Sequence, residues 1–321
     1  MKLSFILKTS ITISVLGLAA CSNAPSVTGT STPQASRPYS QPSTKVDEND
    51  PYNGYLSKEL LNINSSLTEL QFKCYSSNGY PEFLEVLPDQ KADDFRTLAE
   101  TPDFSSTFNS YGEMPWRASA EEARMRGFGH DLTPLVRSVV VMDAAFSAVQ
   151  QDCHGWAVKK IGGDPSLIRN YTTLGNTLAS ELNAAAEKMR PALNDRVFAC
   201  MSEKGTPVDK NGPNKNPVWQ VDFQIPTGNA SEPPWPDLTK GGSVVINPGR
   251  PGTAYMPTSE ESRAAEVMYQ CSVDIGAQRE WQQTLTEAKA SAIAAQEGQL
   301  SELNPLIKEL AKSAAAATQQ S

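Results

Sequence analysis

Five cysteines set the terms on which this chain can fold. Four of them, Cys74, Cys153, Cys200 and Cys271, stand 79, 47 and 71 residues apart. None of these intervals is the close Cys pair of a zinc site, so the spacing implies no metal centre. Cysteines spread this way suit cross-links between distant segments, and such links persist only in an oxidising compartment. Four cysteines can pair in several ways, and their number and spacing do not choose among them.

The fifth cysteine bears on the compartment. Met1 to Lys8 carries Lys2 and Lys8 with no acidic residue, a short apolar stretch runs from Ile11 through Gly17, and Leu18-Ala19-Ala20-Cys21 follows. A basic start, an apolar run too short to span a bilayer and a small-residue cleavage site make a secretory signal rather than a transmembrane helix. Leu18-Ala19-Ala20-Cys21 resembles the lipobox of bacterial lipoproteins, in which a thioether lipid is placed on the cysteine sulfur before cleavage frees its amine. The resemblance implies that residues 1–20 are removed and that Cys21 becomes a lipid-bearing N-terminus. Stable anchoring takes more than one acyl chain, at roughly 0.8 kcal/mol per buried methylene. No later segment approaches the run of about 18 apolar residues that a span requires. The expected location is therefore the cell membrane, lipid-anchored on its extracytoplasmic face. Ser22 follows the cysteine, so the aspartate that retains some lipoproteins at an inner membrane is absent.

Loss of Lys2 and Lys8 leaves 26 basic against 36 acidic residues, a net charge of −10. That balance argues against nucleic acid and against electrostatic docking on anionic lipid heads. It is also the charge of an ordinary solvated surface.

Along the chain, residues 21–50 are rich in Ser, Thr, Pro, Gln and Ala and read as a flexible tether, because they hold too little apolar surface to offset the entropy of ordering. A single domain is expected over 51–312, with a frayed tail over 313–321. Leu56, Leu60, Leu61, Ile63, Leu67, Leu70 and Cys74 recur at helical spacing until Gly79 and Pro81 stop the run. Ser119-Ala120-Glu121-Glu122 is a capping box, and its helix is expected to end at Gly127-Phe128-Gly129. A further helix is expected from Thr133-Pro134, carrying Leu135, Val139, Met142, Ala145, Phe146, Val149 and Cys153 on one face. Asp164-Pro165 opens another, running to Gly205 with a break or kink at Pro191. Residues 206–257 hold ten of the 23 prolines and read as a long insertion. Its candidate strands are Val218–Phe223 and Gly242–Ile246. A second capping box, Thr258-Ser259-Glu260-Glu261, opens a long helix that turns Met268, Cys271, Ile275, Trp281, Leu285, Ala288 and Ala292 towards the core. The fold class is thus mainly α: five or six helices, stapled by disulfides, with a Pro/Gly-rich insertion holding short strands.

Two segments share a frame. Cys74-Tyr75-Ser76-Ser77-Asn78-Gly79-Tyr80-Pro81 aligns without a gap on Cys200-Met201-Ser202-Glu203-Lys204-Gly205-Thr206-Pro207. Each reads as a helix stop, with the glycine left-handed and the proline forbidding continuation. Each sets a cysteine about one turn before the end, and another cysteine follows in each half. Two helix pairs stapled once each would be Cys74–Cys153 and Cys200–Cys271, the preferred pairing. The intervals from capping box to cysteine differ between the halves, so convergence on a good helix stop competes with duplication.

The Cys-x-x-x-x-Gly helix ends, the Tyr111-Gly112 segment leading to Glu121-Glu122-Ala123-Arg124 and Gly127-Phe128-Gly129, and Thr258-Ser259-Glu260-Glu261 with Cys271 resemble uncharacterised secreted lipoproteins of actinobacteria. This resemblance spans roughly residues 65 to 300. It implies a cell type and a helical fold, and it brings no activity with it.

Candidate chemistry is thin. The chain has two histidines, His130 and His154; His154 follows Cys153 directly, and adjacent helical residues point about 100° apart, which makes no nucleophile–base pair. Glu121-Glu122 and Glu260-Glu261 can be read as paired carboxylates for glycoside hydrolysis. Their place in first helical turns explains them without a substrate. Asp209-Lys210-Asn211-Gly212 starts like a calcium loop, but Asn214 and Gln220 stand where that loop needs Gly and Glu. Trp219, Phe223, Trp235 and Tyr255, in or beside Pro233-Pro234-Trp235-Pro236, are candidate binding residues, since loops on a rigid base often carry aromatic anchors. The competing reading is that they fold back and pin the insertion to the helices. The resulting expectation is a membrane-anchored, non-enzymatic binding module with an unknown protein or small-molecule partner and no cofactor. A cell-envelope hydrolase using carboxylates and a structural spacer are the alternatives. No βαβ alternation supports a two-lobed transporter-type binding protein.

Overall fold

A computed structural model describes residues 49–90, 104–108, 114–216, 218–231 and 242–319. Cys21 with the export segment, residues 21–48 of the tether, Trp235 and residues 320–321 lie outside them. The architecture is mainly α. A 3-10 turn (Pro51–Gly54) precedes helices α1 (Ser57–Ser77), α2 (82–90), α3 (Phe104–Thr107) and α4 (Ala120–Arg126). Strand β1 (Ser138–Val141), α5 (Phe146–Lys160) and α6 (Pro165–Glu203) come next. Strand β2 (Val244–Asn247) and α7 (Ser259–Asp274), α8 (Ala277–Ala295) and α9 (Glu297–Gln319) complete the order. Helix α6 alone, at 39 residues, is roughly 58 Å long. It packs on α8 and α7, while α1 packs on α9 and α5.

The apolar stripe of α1 explains its placement: Leu60, Ile63, Leu67 and Leu70 are all buried. The two aligned segments are the same helix stop. The Asn78 amide donates to the Cys74 carbonyl, Gly79 takes φ 97° and Tyr80 N closes on Tyr75 O; Lys204, Gly205 (φ 81°) and Thr206 repeat this on Cys200 and Met201. Both staples form as preferred, Cys74–Cys153 joining α1 to α5 and Cys200–Cys271 joining α6 to α7, with Cα separations of 5.6 and 5.8 Å.

The surroundings of the two staples differ. Cys271 lies in the main core, which runs from α1 through α6, α7, α8 and α9. Cys153 lies in a separate small cluster with Tyr75, Tyr80 and Phe83, flanked by Phe72, Phe146 and strand residues Val139, Val141 and Val244. The aromatic rings there contact one another at centroid distances of 4.8 to 6.1 Å.

The start of the described chain is strapped down by tyrosines. Tyr52 OH donates to Leu178 O (2.6 Å), and Tyr55 OH to Tyr171 O (2.9 Å). Tyr171 OH accepts from Leu56 N (2.7 Å) and donates to Asn304 Oδ1 (2.7 Å), while Asn304 Nδ2 donates to Gly54 O (2.9 Å). Lys289 pairs with Asp50 and lies over the Tyr52 ring.

Five expectations are corrected. The helix from Thr133 is not formed: Ser138–Val141 is a strand, paired antiparallel with Val244–Asn247, and α5 begins only at Phe146. Three successive valines prefer the extended pleat, and their β-branched partners lie about 100 residues away, where no local periodicity reveals them. Leu132 with Thr253 and Leu135 with Arg250 keep the same register, and Pro134, Pro248 and Pro251 interrupt the ladder between them. Val218–Phe223 is not a strand, because Gln220 and Gln224 take positive φ and turn the chain; Trp219 and the consecutive Val221, Asp222 and Phe223 are buried without the alternation of a strand. The long helix from Thr258 is three, divided at Gly276, whose left-handed φ of 74° ends α7, and again at Gln296. Residues 313–319 are helical rather than frayed: Ala314 and Ala317 are buried in the main core, where small side chains allow close helix packing. Pro191 sits inside α6 without breaking it.

Candidate functional site

The acidic pairs at the two capping boxes resolve into unlike roles. In α4, Ser119 Oγ accepts from Glu122 N (3.0 Å), and Glu122 Oε2 accepts from Ala118 N (3.1 Å), one residue before the amide expected. In α7, Thr258 Oγ1 accepts from Glu261 N (3.1 Å), but the Glu261 side chain does not turn back. It points inward with no exposed surface and accepts from Phe128 N (2.8 Å), Gly228 N (2.6 Å) and Tyr255 OH (3.0 and 3.1 Å). Burial first, and then the Glu261 carboxylate, push the Tyr255 hydroxyl well above its ordinary pKa.

This is a structural knot. It ties α7 to the Gly127-Phe128-Gly129 turn and to the insertion at Gly228. The Arg117 side chain adds to it, donating to the carbonyls of Gly127 (3.3 Å) and Gly129. Burial lowers the Arg117 pKa, with Glu122, Asp131 and Glu261 opposing that shift. Gly127 has φ 53°, and a Cβ there would stand 2.6 Å from Glu261 Oε1; at Gly129 a Cβ would run into the Tyr255 ring. The Gly-Phe-Gly motif is therefore set by close approach to Glu261 and Tyr255, a cause the sequence does not display.

The candidate binding aromatics are inside or tied down. Trp219 is 9% exposed with its ring edge-on to Phe198, and Phe223 is 3% exposed, stacked on Phe128 at 4.0 Å. Tyr255 is half-buried in the Glu261 knot. These placements correct the solvent-facing reading for Trp219 and Phe223: burying two large rings against α6 holds a proline-rich segment that has few backbone ladders of its own. Trp235 lies outside the described residues. His154 is exposed, with Nδ1 3.4 Å from Gln71 Nε2, and His130 stands near Arg117, where partial desolvation of its ring and then Arg117 and Arg126 lower its pKa. Asp209 Oδ1 accepts from Asn211 N (2.8 Å) within its own turn. Among the described residues no cluster of three or more His, Cys, Asp or Glu side chains is placed to hold a metal ion.

A groove that the sequence did not single out lies between α6 and the α8–α9 junction, with a volume of about 510 Å³. Asn170, Thr173 and Thr177 form its α6 wall; Gln296, Gln299 and Glu302 form the other; Leu174 and Leu303 line its apolar part. The α6 wall is one helical stripe adjoining the buried Tyr171, Leu174 and Leu178, so the groove runs along the edge of the core and backs onto the tyrosine strap. Thr177 Oγ1 donates to Thr173 O within the helix. The side chains of Asn170, Thr173, Gln296, Gln299 and Glu302 have no hydrogen-bond partner within the described protein. Such residues carry no visible signature in a sequence, because isolated Asn, Thr and Gln on helices read as solvated surface.

No family model, no curated protein and no solved structure matches the chain.

Proposed function

We propose that this chain is an extracytoplasmic lipoprotein, held to the cell membrane by a lipid on Cys21, and that its helical domain is a non-enzymatic binding module. The observation that carries the binding role is the α6–α9 groove: its volume lies in the range of ligand sites, and all its polar side chains but Thr177 are uncommitted. The anchoring part rests on the Leu18-Ala19-Ala20-Cys21 sequence, and the two disulfide pairs are consistent with export. Among the described residues no helix is long and apolar enough to cross a membrane.

The hydrolase alternative is disfavoured by the same geometry. Glu261 is sealed from solvent with both carboxyl oxygens engaged, and Glu122 is occupied in capping, so Glu121-Glu122 and Glu260-Glu261 each keep only one exposed acid, Glu121 or Glu260, where two must flank a glycosidic bond. Two experiments test the proposal. Cys21→Ser should move the protein out of the membrane fraction, and its retention there would end the anchor reading. Non-denaturing mass spectrometry of the full chain, recovered in mild detergent from its own host's envelope, should show a bound mass. A bare mass, with no crosslinked partner on intact cells, would favour a spacer.

A further inference from the structure

We infer that the α6–α9 groove binds a neutral saccharide. This inference rests on the binding reading above and names its ligand class. Three carboxamides (Asn170, Gln296, Gln299), two threonine hydroxyls and the Glu302 carboxylate face the groove. Carboxamides donate and accept side by side, and sugar hydroxyls do the same, so each amide can engage neighbouring hydroxyls or an acetamide in a paired fashion. Among the described residues no Lys, Arg or His lines the groove to supply the charge-assisted bonds that hold phosphate or carboxylate ligands, and Glu302 repels them. The half-buried Leu303, with the buried Leu174 behind it, offers a small apolar surface suited to the C–H face of a sugar ring and too small for an acyl chain. The volume accommodates a short oligosaccharide, and the groove is open along the helix edge. With no aromatic ring among the described lining residues, affinity should be weak, with a Kd on the order of 1 mM.

The test is ligand-observed saturation-transfer NMR on the full chain in mild detergent, with chitotetraose as the probe and inorganic phosphate as the anionic comparison. Chitotetraose should receive saturation, phosphate should not compete, and the double variant Asn170→Ala/Gln299→Ala should weaken binding about tenfold or more while leaving the melting temperature unchanged. Both substitutions lie at exposed helix positions, so folding is not at stake. A single Thr173→Trp variant, which fills the groove, should abolish the signal. No saturation of chitotetraose, binding that ignores all three substitutions, or phosphate displacing the sugar would each overturn the inference. A different bound mass in the envelope-recovered protein, together with silent chitotetraose, would sink the ligand class and leave the binding module standing. A bare mass with silent chitotetraose would sink both.

Discussion

The two stapled corners of the molecule are built on the same helix stop and close loops of 79 and 71 residues, yet they stand in unlike company. Cys200–Cys271 joins α6 and α7 inside the main core, beside buried residues such as Phe198, Met201 and Met268. Cys74–Cys153 holds α1 to α5 beside a small aromatic cluster and a two-stranded ribbon, a unit that is marginal by itself. Loop-closure entropy predicts about 4.5 kcal/mol for either disulfide, so it cannot distinguish them. Packing does: one bond reinforces a core that other contacts already hold, and the other substitutes for a core too small to hold itself.

The largest expected effect follows directly. Cys74→Ala/Cys153→Ala should cost about 3–5 kcal/mol and should open the ribbon and the N-terminal half of α5 selectively, with hydrogen exchange there falling to low protection while α6, α7, α8 and the Ala157–Val158 end of α5, which lies in the main core, keep theirs. Cys200→Ala/Cys271→Ala should lower global stability by a similar amount without a separate local opening. Identical exchange maps for the two variants would erase the distinction between the corners.

On the main-core side, the Glu261 knot provides the next step down. Glu261→Ala leaves Phe128 N, Gly228 N and Tyr255 OH without their buried acceptor, and should cost about 3 kcal/mol. The loss should loosen Gly127–Gly129 and the insertion around Gly228, and leave the aromatic cluster at Cys153 untouched. Chemical-shift changes confined to the knot would support this division, and spread into α5 would break it.

Much of the helical frame is legible in the residues because its causes are local. Asp164-Pro165, the two capping boxes and the paired Gly79 and Gly205 stops each act within one turn, and the structure has a boundary at each. What escapes is what depends on distant chain. Val139–Val141 becomes a strand because of Val244–Ile246, and the stripe from Met268 to Ala292 reads as one helix although the left-handed φ of Gly276 divides α7 from α8. The groove escapes for a further reason: Asn170 and Gln299 are 129 residues apart in sequence and unremarked in type, and only the packing of α6 near α9 brings them to one edge. Glu261 was visible as a cap, and its inward side chain was not.

The tyrosine strap lies where the chain first joins the main core, and it permits a smaller test. Tyr52→Phe removes one buried hydrogen bond to Leu178 O and should cost about 1 kcal/mol at neutral pH. Burial, reinforced by Glu181 and Asp50 for Tyr52 and by Tyr171 for Tyr55, raises these hydroxyls above their ordinary pKa of 10.0. Tyr171 is raised by burial despite its bond from the Leu56 amide. The unfolded chain therefore releases protons above pH 10.0 that the folded protein retains, so stability is complete below that pH and falls as pH rises through the folded values. Each tyrosine contributes a slope of about 1.4 kcal/mol per pH unit in that window. Tyr52→Phe should make alkaline denaturation shallower by one such share; an unchanged slope would mean that the strap is open to solvent.

The smallest effect on stability is expected at the groove, and that smallness is itself diagnostic. Asn170, Thr173 and Gln299 are exposed and form no internal side-chain bond, so alanine at any of them should change stability by no more than about 0.5 kcal/mol. The same residues would be costly to lose if they held α6 to α9. Thermal denaturation of Asn170→Ala/Gln299→Ala therefore separates the two kinds of polar residue in this fold. Those in the strap and the knot are spent on holding the chain together, and a Tm close to the parent's would place the groove's amides outside that set. A drop comparable to that of Tyr52→Phe would instead make the groove another part of the scaffold.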